Sequence, residues 1–224
     1  MRKNIKNPNT SRLWNDRLFD ENQILLRSPI YIDKIKRVLR FLKVGKGKFL
    51  DIGLGLGNLE KLLIESNLNI KLFGIDISTK AVLNAKKKFG RNFYVANIFH
   101  LPFNKSVFDS VAILDVLEHI YEDETSKALK EVYRVMKKGG VVVISVPLNE
   151  NLEELNKNGK NYNRHLQEYT FKNLSKKLVS SGFVVLKSDY LYAFNKFYWS
   201  KSLIVKLVPG LRKPNLLIVY CKKK

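Results

Sequence analysis

Cysteine is nearly missing from this chain. Cys221 stands alone, which excludes an intramolecular disulfide and any cysteine-cluster zinc site. Its place near the chain end predicts a small buried strand residue rather than a nucleophile. Histidine is almost as scarce: His100, His119 and His165 are scattered along the sequence, and no metal site is expected from them. Long apolar runs are lacking too. The longest, Val141–Val146 and Leu216–Cys221, fall far short of the ~20 residues a membrane-crossing helix needs. The basic start of the chain has no apolar core of a secretory signal, so a cytoplasmic location is expected, with peripheral contact at a membrane surface compatible with it. Acidic residues are absent from residues 195–224, a stretch holding 8 lysines and arginines.

What is present begins with charge. The net charge is +21 and the isoelectric point is near 9.9. Residues 1–48 carry 13 basic side chains against 4 acidic ones, so the two ends hold most of the excess. Such ends suit anionic lipid, nucleic acid or an acidic partner, although a compositional preference for lysine produces the same excess. With 224 residues, 45% of them hydrophobic, the chain can bury one sizeable core and has length left for a cap.

Between Lys48 and Val146 short apolar runs alternate with helical patterns, the mark of βαβ units and a parallel sheet. The reading predicts strands at Lys48–Ile52, Ile70–Ile75, Phe93–Ile98, Ser110–Leu114 and Val141–Val146. Helices are expected near Asn58–Ser66, Thr79–Phe89 and Asp123–Lys137. Ser78 is a good N-cap and Gly90 a good stop for the second helix, while the third places Leu129, Val132, Tyr133 and Met136 on one face and ends at Gly139 and Gly140. Beyond a polar stretch, Leu148–Tyr169, a helix is expected over Phe171–Ser180 with Thr170 as N-cap, then closing strands at Phe183–Tyr192 and Leu216–Cys221. The segment Phe194–Pro209 between those strands is aromatic and basic, the composition of an interfacial helix or of a cap over a site. Residues 1–47 read as a helical cap or arm, with Trp14, Leu18, Phe19, Ile32, Ile35, Leu39 and Leu42 as its apolar positions.

A strand followed by closely spaced glycines and a helix is a nucleotide-binding turn, because glycine permits close approach and positive φ. Gly53, Gly55 and Gly57 have that spacing, yet Asn58 stands where a dinucleotide fingerprint requires a third Gly or Ala. Asp51, two residues before the first glycine, would repel a pyrophosphate. It suits a ligand with a positive amino group and a sulfonium, which S-adenosylmethionine carries. Asp76 ends the next strand, where an acid can accept from both hydroxyls of a ribose. Asn97 at the third strand end can bond an adenine amine, with Ile98 or Ile77 packing on the ring. Asp115 follows the fourth strand.

These segments, Phe49–Gly57, Gly74–Ser78, Asn97–Phe103, Phe108–Ile120 and Arg134–Pro147, resemble the successive motifs of class I S-adenosylmethionine-dependent methyltransferases. The group that includes ubiquinone and menaquinone biosynthesis methyltransferases is the most similar. The resemblance is strong over Lys48–Pro147 and looser over Arg164–Phe183. It implies an α/β, Rossmann-like seven-stranded, mostly parallel sheet whose last strand is antiparallel, with helices on both faces. It also implies a domain over 48–224, carrying an insertion at about 193–215, behind the helical cap of 1–47. Asp51, Gly53, Leu54, Gly55, Gly57, Asp76, Ile77, Asn97, Ile98 and Asp115 would contact the cofactor. Two positions depart from the group: Asn97 replaces an Asp, and Leu54 replaces Cys or a small residue.

Methyl transfer is an in-line displacement, so positioning and water exclusion dominate, and a base is needed only where the acceptor loses a proton. His165, His119 and Tyr169 are the candidates for that base, and Tyr31 is a further one. No Asn-Pro-Pro or Asp-Pro-Pro aromatic motif is present, which argues against exocyclic-amine methylation of that kind. Methylation of a small or lipid-like acceptor on carbon or oxygen is the leading reading. An RNA or protein methyltransferase using the basic ends comes second, and a non-catalytic S-adenosylmethionine-binding protein third.

Overall fold

The computed structural model describes residues 7–17, 28–42, 47–194, 196–208 and 210–224. Leu18 and Phe19 of the expected cap lie outside the described residues, as do Asn195 and Pro209 of the aromatic segment. Seven strands form one sheet: β1 (Gly47–Ile52), β2 (Ile70–Asp76), β3 (Phe93–Val95), β4 (Phe108–Leu114), β5 (Met136–Pro147), β6 (Phe183–Leu191) and β7 (Leu216–Lys223). Their spatial order is β3-β2-β1-β4-β5-β7-β6. The first five are parallel to their neighbours, and β7 runs antiparallel between β5 and β6. This is the expected doubly wound sheet. The chain reverses its direction of travel across the sheet between β1 and β4, and the crevice at such a switch point is where open α/β sheets bind ligands.

Alternation along the strands builds two cores. Leu50, Ile52, Val111, Ile113, Val142 and Ile144 face one side, where they meet Ala128, Leu129, Val132 and Val135 of α5 (Thr125–Val135) and Leu174 and Leu178 of α7 (Phe171–Ser180). Phe49, Ala112, Val143, Ile218 and Tyr220 face the other. There they pack on Ile35, Val38 and Leu42 of α2 (Pro29–Leu42) and Leu59 and Leu63 of α3 (Asn58–Glu65). Through Tyr31, Lys34 and Ile35, α2 also lines the crevice. The short α1 (Ser11–Arg17) packs on α4 (Thr79–Phe89), where the Asn15 carboxamide accepts from the Ser78 hydroxyl at 2.8 Å and the Lys80 amide at 3.1 Å. Ser78 is the N-cap of α4, accepting from the Ala81 amide at 3.1 Å.

Several boundaries differ from expectation, and one helix is added. The third predicted helix ends at Val135, and Met136 opens β5 as the partner of Phe108, so the helical period past Val135 is overridden by strand pairing. Strand β3 stops at Val95, because Asn97 folds back in a turn and accepts from the Phe99 amide at 3.1 Å. The polar stretch after Pro147 contains a helical turn, α6 (Leu152–Lys157). Helix α8 (Tyr198–Leu207) fills the aromatic segment between β6 and β7.

Candidate functional site

Strand register sets the acids side by side. Asp51 pairs with Gly74 on β2 and Ala112 on β4, and Asp76 ends β2 one position beyond the Ile52–Ile75 pair. The carboxyl ends of β1, β2 and β4 therefore open onto one crevice, a cavity of about 690 Å³, within the range of small-molecule and cofactor sites. Asp51, Gly53, Leu54, Gly55, Asp76, Ile77, Asn97, Ile98 and Asp115 all line it. Gly57 does not. It is the residue before α3, at φ 76°, and a Cβ there would lie 2.5 Å from the Phe89 ring, so its glycine serves helix packing rather than ligand contact. Gly53, at φ 83°, has the same double requirement against Val116, 2.4 Å from an ideal Cβ.

Asp76 is held as a ready acceptor. One oxygen accepts from the Ser78 amide at 2.7 Å and the other from the Gly55 amide at 2.9 Å, which leaves a lone pair on each for a diol. Burial raises its pKa, and these backbone bonds work against that shift. Asn97 spends one acceptor lone pair on its own turn.

Asp51 lies deeper, 3% exposed, beside Glu60, which is fully buried. Among the described residues, Asp51 Oδ1 and both Glu60 carboxylate oxygens find no conventional hydrogen-bond donor. Burial pushes the Asp51 pKa up to about 7 and raises Glu60 as well, so at neutral pH the pair retains a proton. Tyr31 on α2 also lines the cavity, and burial lifts its hydroxyl to about 12, which makes it a poor base.

Asp115 is turned into the cavity by a left-handed backbone, φ 55°. Burial would raise its pKa, but an ion pair with Lys34 and a 2.6 Å bond from the Ser145 hydroxyl hold it below the ordinary value. Lys34 is a residue that sequence reasoning missed. It lies on the buried stripe of α2 with Tyr31, Ile35, Val38 and Leu42, and a lysine on that stripe is the signal that could have revealed it.

The same cavity is lined by two imidazoles. His119 closes the 3₁₀ turn Leu117–His119 after β4, and His165 lies in the segment before α7. That segment is sewn to the turn. The Leu166 amide donates to the Glu118 carbonyl at 2.7 Å, and the Gln167 amide nitrogen donates to the carbonyls of Leu117 and Ile120 and to Thr125. Histidines 46 positions apart in sequence thus stack edge to face, with ring centroids 4.8 Å apart. His165 Nδ1 bonds Glu150 Oε2 at 2.6 Å, and Trp14 of α1 packs against the edge of His119 at 4.8 Å. Asn7 and Asn9 clamp the same turn through the His119 carbonyl. Burial, then His165, lowers the His119 pKa to about 4, so His119 is neutral at pH 7.

Tyr169 lies away from this cavity. It is 2% exposed, its hydroxyl is engaged by Thr125 at 3.2 Å and the Leu117 carbonyl at 3.3 Å, and burial raises its pKa further still. It anchors the segment that carries His165 and is not placed to take a proton from a ligand. Cys221 is buried in β7, with its thiol raised by burial to about 12.

Comparison with known proteins speaks to the domain and the fold. The family model described as "Methyltransferase domain" matches residues 50–144. An uncharacterised protein of Methanocaldococcus jannaschii is 35% identical over 131 residues, covering 58% of this chain and 56% of the relative. A ubiquinone/menaquinone biosynthesis C-methyltransferase of Desulfotalea psychrophila is 34% identical over 99 residues, 43% of this chain and 39% of the relative. The chain spans about half the length of the curated relatives it matches. Among solved structures, the N-methyltransferase NodS from Bradyrhizobium japonicum, in complex with S-adenosyl-l-homocysteine, superposes with a TM-score of 0.70 at 15% identity, covering 96% of this chain and 98% of that one. Residues 50–144 thus match the methyltransferase domain model, and the sheet order is shared with solved methyltransferases of Rossmann-like fold.

Proposed function

We propose that the protein transfers the methyl group of S-adenosylmethionine to a small-molecule or lipid-like acceptor, on carbon or oxygen. The observation that carries this reading is the cavity itself, which the glycine turn, its acids and the His119/His165 pair line together. Asp51 Oδ1, buried and without a donor, is where a cationic amino group would complete the structure. Asp76 would take the ribose hydroxyls, and Ile77, Ile98 and Asn97 the adenine. When bound, the cofactor supplies an activated methyl group on its sulfonium. The chain's own contribution is to align the acceptor and keep water out, through the lid made by Trp14, Tyr31 and the His165 segment. His165, steadied by Glu150, is the group placed to accept a proton from the acceptor. C-methylation draws support from the similarity to the Desulfotalea psychrophila ubiquinone/menaquinone biosynthesis C-methyltransferase.

Calorimetry with S-adenosylmethionine tests the reading. Binding with one site per chain is expected, and Asp76→Ala should weaken it by roughly tenfold or more, about 1.4 kcal/mol of lost charge-assisted bonding. Absence of binding to the wild-type chain would overturn it.

A second element of the reading concerns the membrane. Helix α8 buries Tyr198, Ser202 and Val205 and exposes Trp199, Leu203, Ile204 and Leu207, with Phe197 and Leu211 exposed at its two ends. Lys196, Lys201, Lys206, Arg212 and Lys213 surround these apolar residues and no acid interrupts them. That combination supports peripheral docking on an anionic lipid surface. No helix among the described residues is long and apolar enough to cross a membrane.

A further inference from the structure

Glu118 occupies an unusual position for a carboxylate. It is 1% exposed, and among the described residues neither of its oxygens has a hydrogen-bond partner. Next to it the Nδ1 atom of His119 is likewise buried and unpartnered. His165 completes the group, and one donor atom from each of the three residues lies within 4.8 Å of the others. Three lone-pair donors therefore converge without bonding one another, in a place where an unpaired buried polar atom is costly.

The surroundings of the rings point the same way. A metal-bound imidazole commonly has its other nitrogen fixed by a carboxylate or a backbone carbonyl, which sets the tautomer and the ring plane. His165 has that arrangement, with Nδ1 on Glu150 at 2.6 Å, which leaves Nε2 for a ligand. The other residues holding the His119 turn, Asn7, Asn9 and Trp14, leave Nδ1 free. Two imidazoles and one carboxylate form a donor set that suits zinc and neighbouring divalent transition metals. Three protein ligands leave a coordination position open.

We propose that Glu118, His119 and His165 form a binding site for one divalent transition-metal ion of the zinc class, with its open position facing the cavity. In a tetrahedral site with bonds of about 2.0–2.1 Å the donors sit roughly 3.4 Å apart, so from a spread of up to 4.8 Å the three side chains need to close by at most about 1.4 Å. All three line the same cavity as the glycine turn. Resting on the methyl-transfer reading, the open position would select an acceptor that offers an oxygen or nitrogen lone pair next to the methylated atom. Metal binding itself is independent of that reading. It would occupy the lone pairs that a histidine base requires, so one experiment decides which role the imidazoles play.

Untagged protein freed of metal with a chelator is titrated with Zn²⁺ by calorimetry and with Co²⁺ by visible absorption. S-adenosylmethionine binding by the same preparation is measured in parallel. One ion per chain is expected, with Co²⁺ giving the intense visible bands of a four-coordinate site. His119→Ala and His165→Ala should each weaken binding at least tenfold. Glu150→Gln should weaken it by roughly ten- to a hundredfold through His165. His100→Ala, outside the cluster, should leave binding unchanged. Circular dichroism on every variant separates loss of a ligand from loss of fold, and Glu118→Gln provides a second, near-isosteric ligand change. No stoichiometric binding would overturn the proposal, as would binding that well-folded His119 and His165 variants retain in full. Zinc binding without S-adenosylmethionine binding would leave the metal site standing and overturn the methyl-transfer reading instead.

Discussion

At Asp51 two demands meet. The end of β1 is buried under α2 and α3, so a carboxylate there is driven toward its neutral form, yet a cationic ligand requires the anion. The consequence is a pH dependence with opposite signs for ligand binding and for stability. With Asp51 raised to about 7, a ligand ammonium meets mostly protonated carboxyl below that value, and affinity for S-adenosylmethionine should rise as pH increases from about 5.5 to 7.5. The ligand-free fold should behave in reverse. In the unfolded chain Asp51 loses its proton near its ordinary value of about 4, so the raised pKa contributes stability at low pH that is lost as pH rises toward 7. Calorimetry across that range in buffers of different ionisation enthalpy would register proton release on binding. An affinity flat across the range would show that Asp51 does not meet the cation. Asp51 and Asp76 were legible because strand-end acids around a glycine turn have a fixed spacing in sequence. Glu60 was not, since it lies on a helix whose buried side is known only once the helix is docked, and Lys34 shows in the sequence only as a lysine on the apolar stripe of α2.

At the scale of elements, the segment leading into α7 decides where His165 stands. Thr170 caps that helix reciprocally: its hydroxyl accepts from the Asn173 amide at 3.2 Å, and the Asn173 carboxamide accepts from the Thr170 amide at 2.8 Å. Thr170→Ala should cost about 1 kcal/mol and lower the thermal midpoint by about 2–4 °C. S-adenosylmethionine affinity should be untouched, because the cap is remote from the glycine turn. A melt monitored by circular dichroism, with calorimetry beside it, checks both halves. Helix α7 agrees with its predicted boundaries because Thr170 and Gly182 mark both ends by local chemistry. The end of α5 disagrees with its prediction because the apolar period continues through Met136 although the chain has already turned into β5. A side chain buried in a helix and one buried in a strand leave the same mark in a short stretch of sequence.

For the whole molecule the open question is the use of its charge. If α8 and the basic ends meet anionic lipid, the protein should sediment with vesicles containing phosphatidylserine and much less with neutral ones. Raising salt from 0.1 to 0.5 M should weaken that binding severalfold as the charges are screened. Trp199→Ser combined with Leu203→Ser, both on the exposed side of α8, should weaken it even at low salt. Equal sedimentation with and without anionic vesicles would remove the membrane from the reading. Tyr198, on the inner side, bonds Asp33 of α2 at 3.0 Å, so a docked α8 would be tied to the helix that roofs the cavity.

The amino-acid sequence by itself determined the sheet, the glycine turn and the acids around it. Alternation, helical period, caps and the spacing of strand ends are all properties of neighbours along the chain. Tertiary structure alone decided the rest. It paired His119 with His165, set Glu118 beside them, placed Lys34 on Asp115, and buried Tyr169 away from the cavity. Those contacts join residues 46, 47, 81 and 52 positions apart, and no local pattern encodes such distances. They exist because two loops and one helix, packed for the burial of their apolar faces, bring polar side chains to a common cavity.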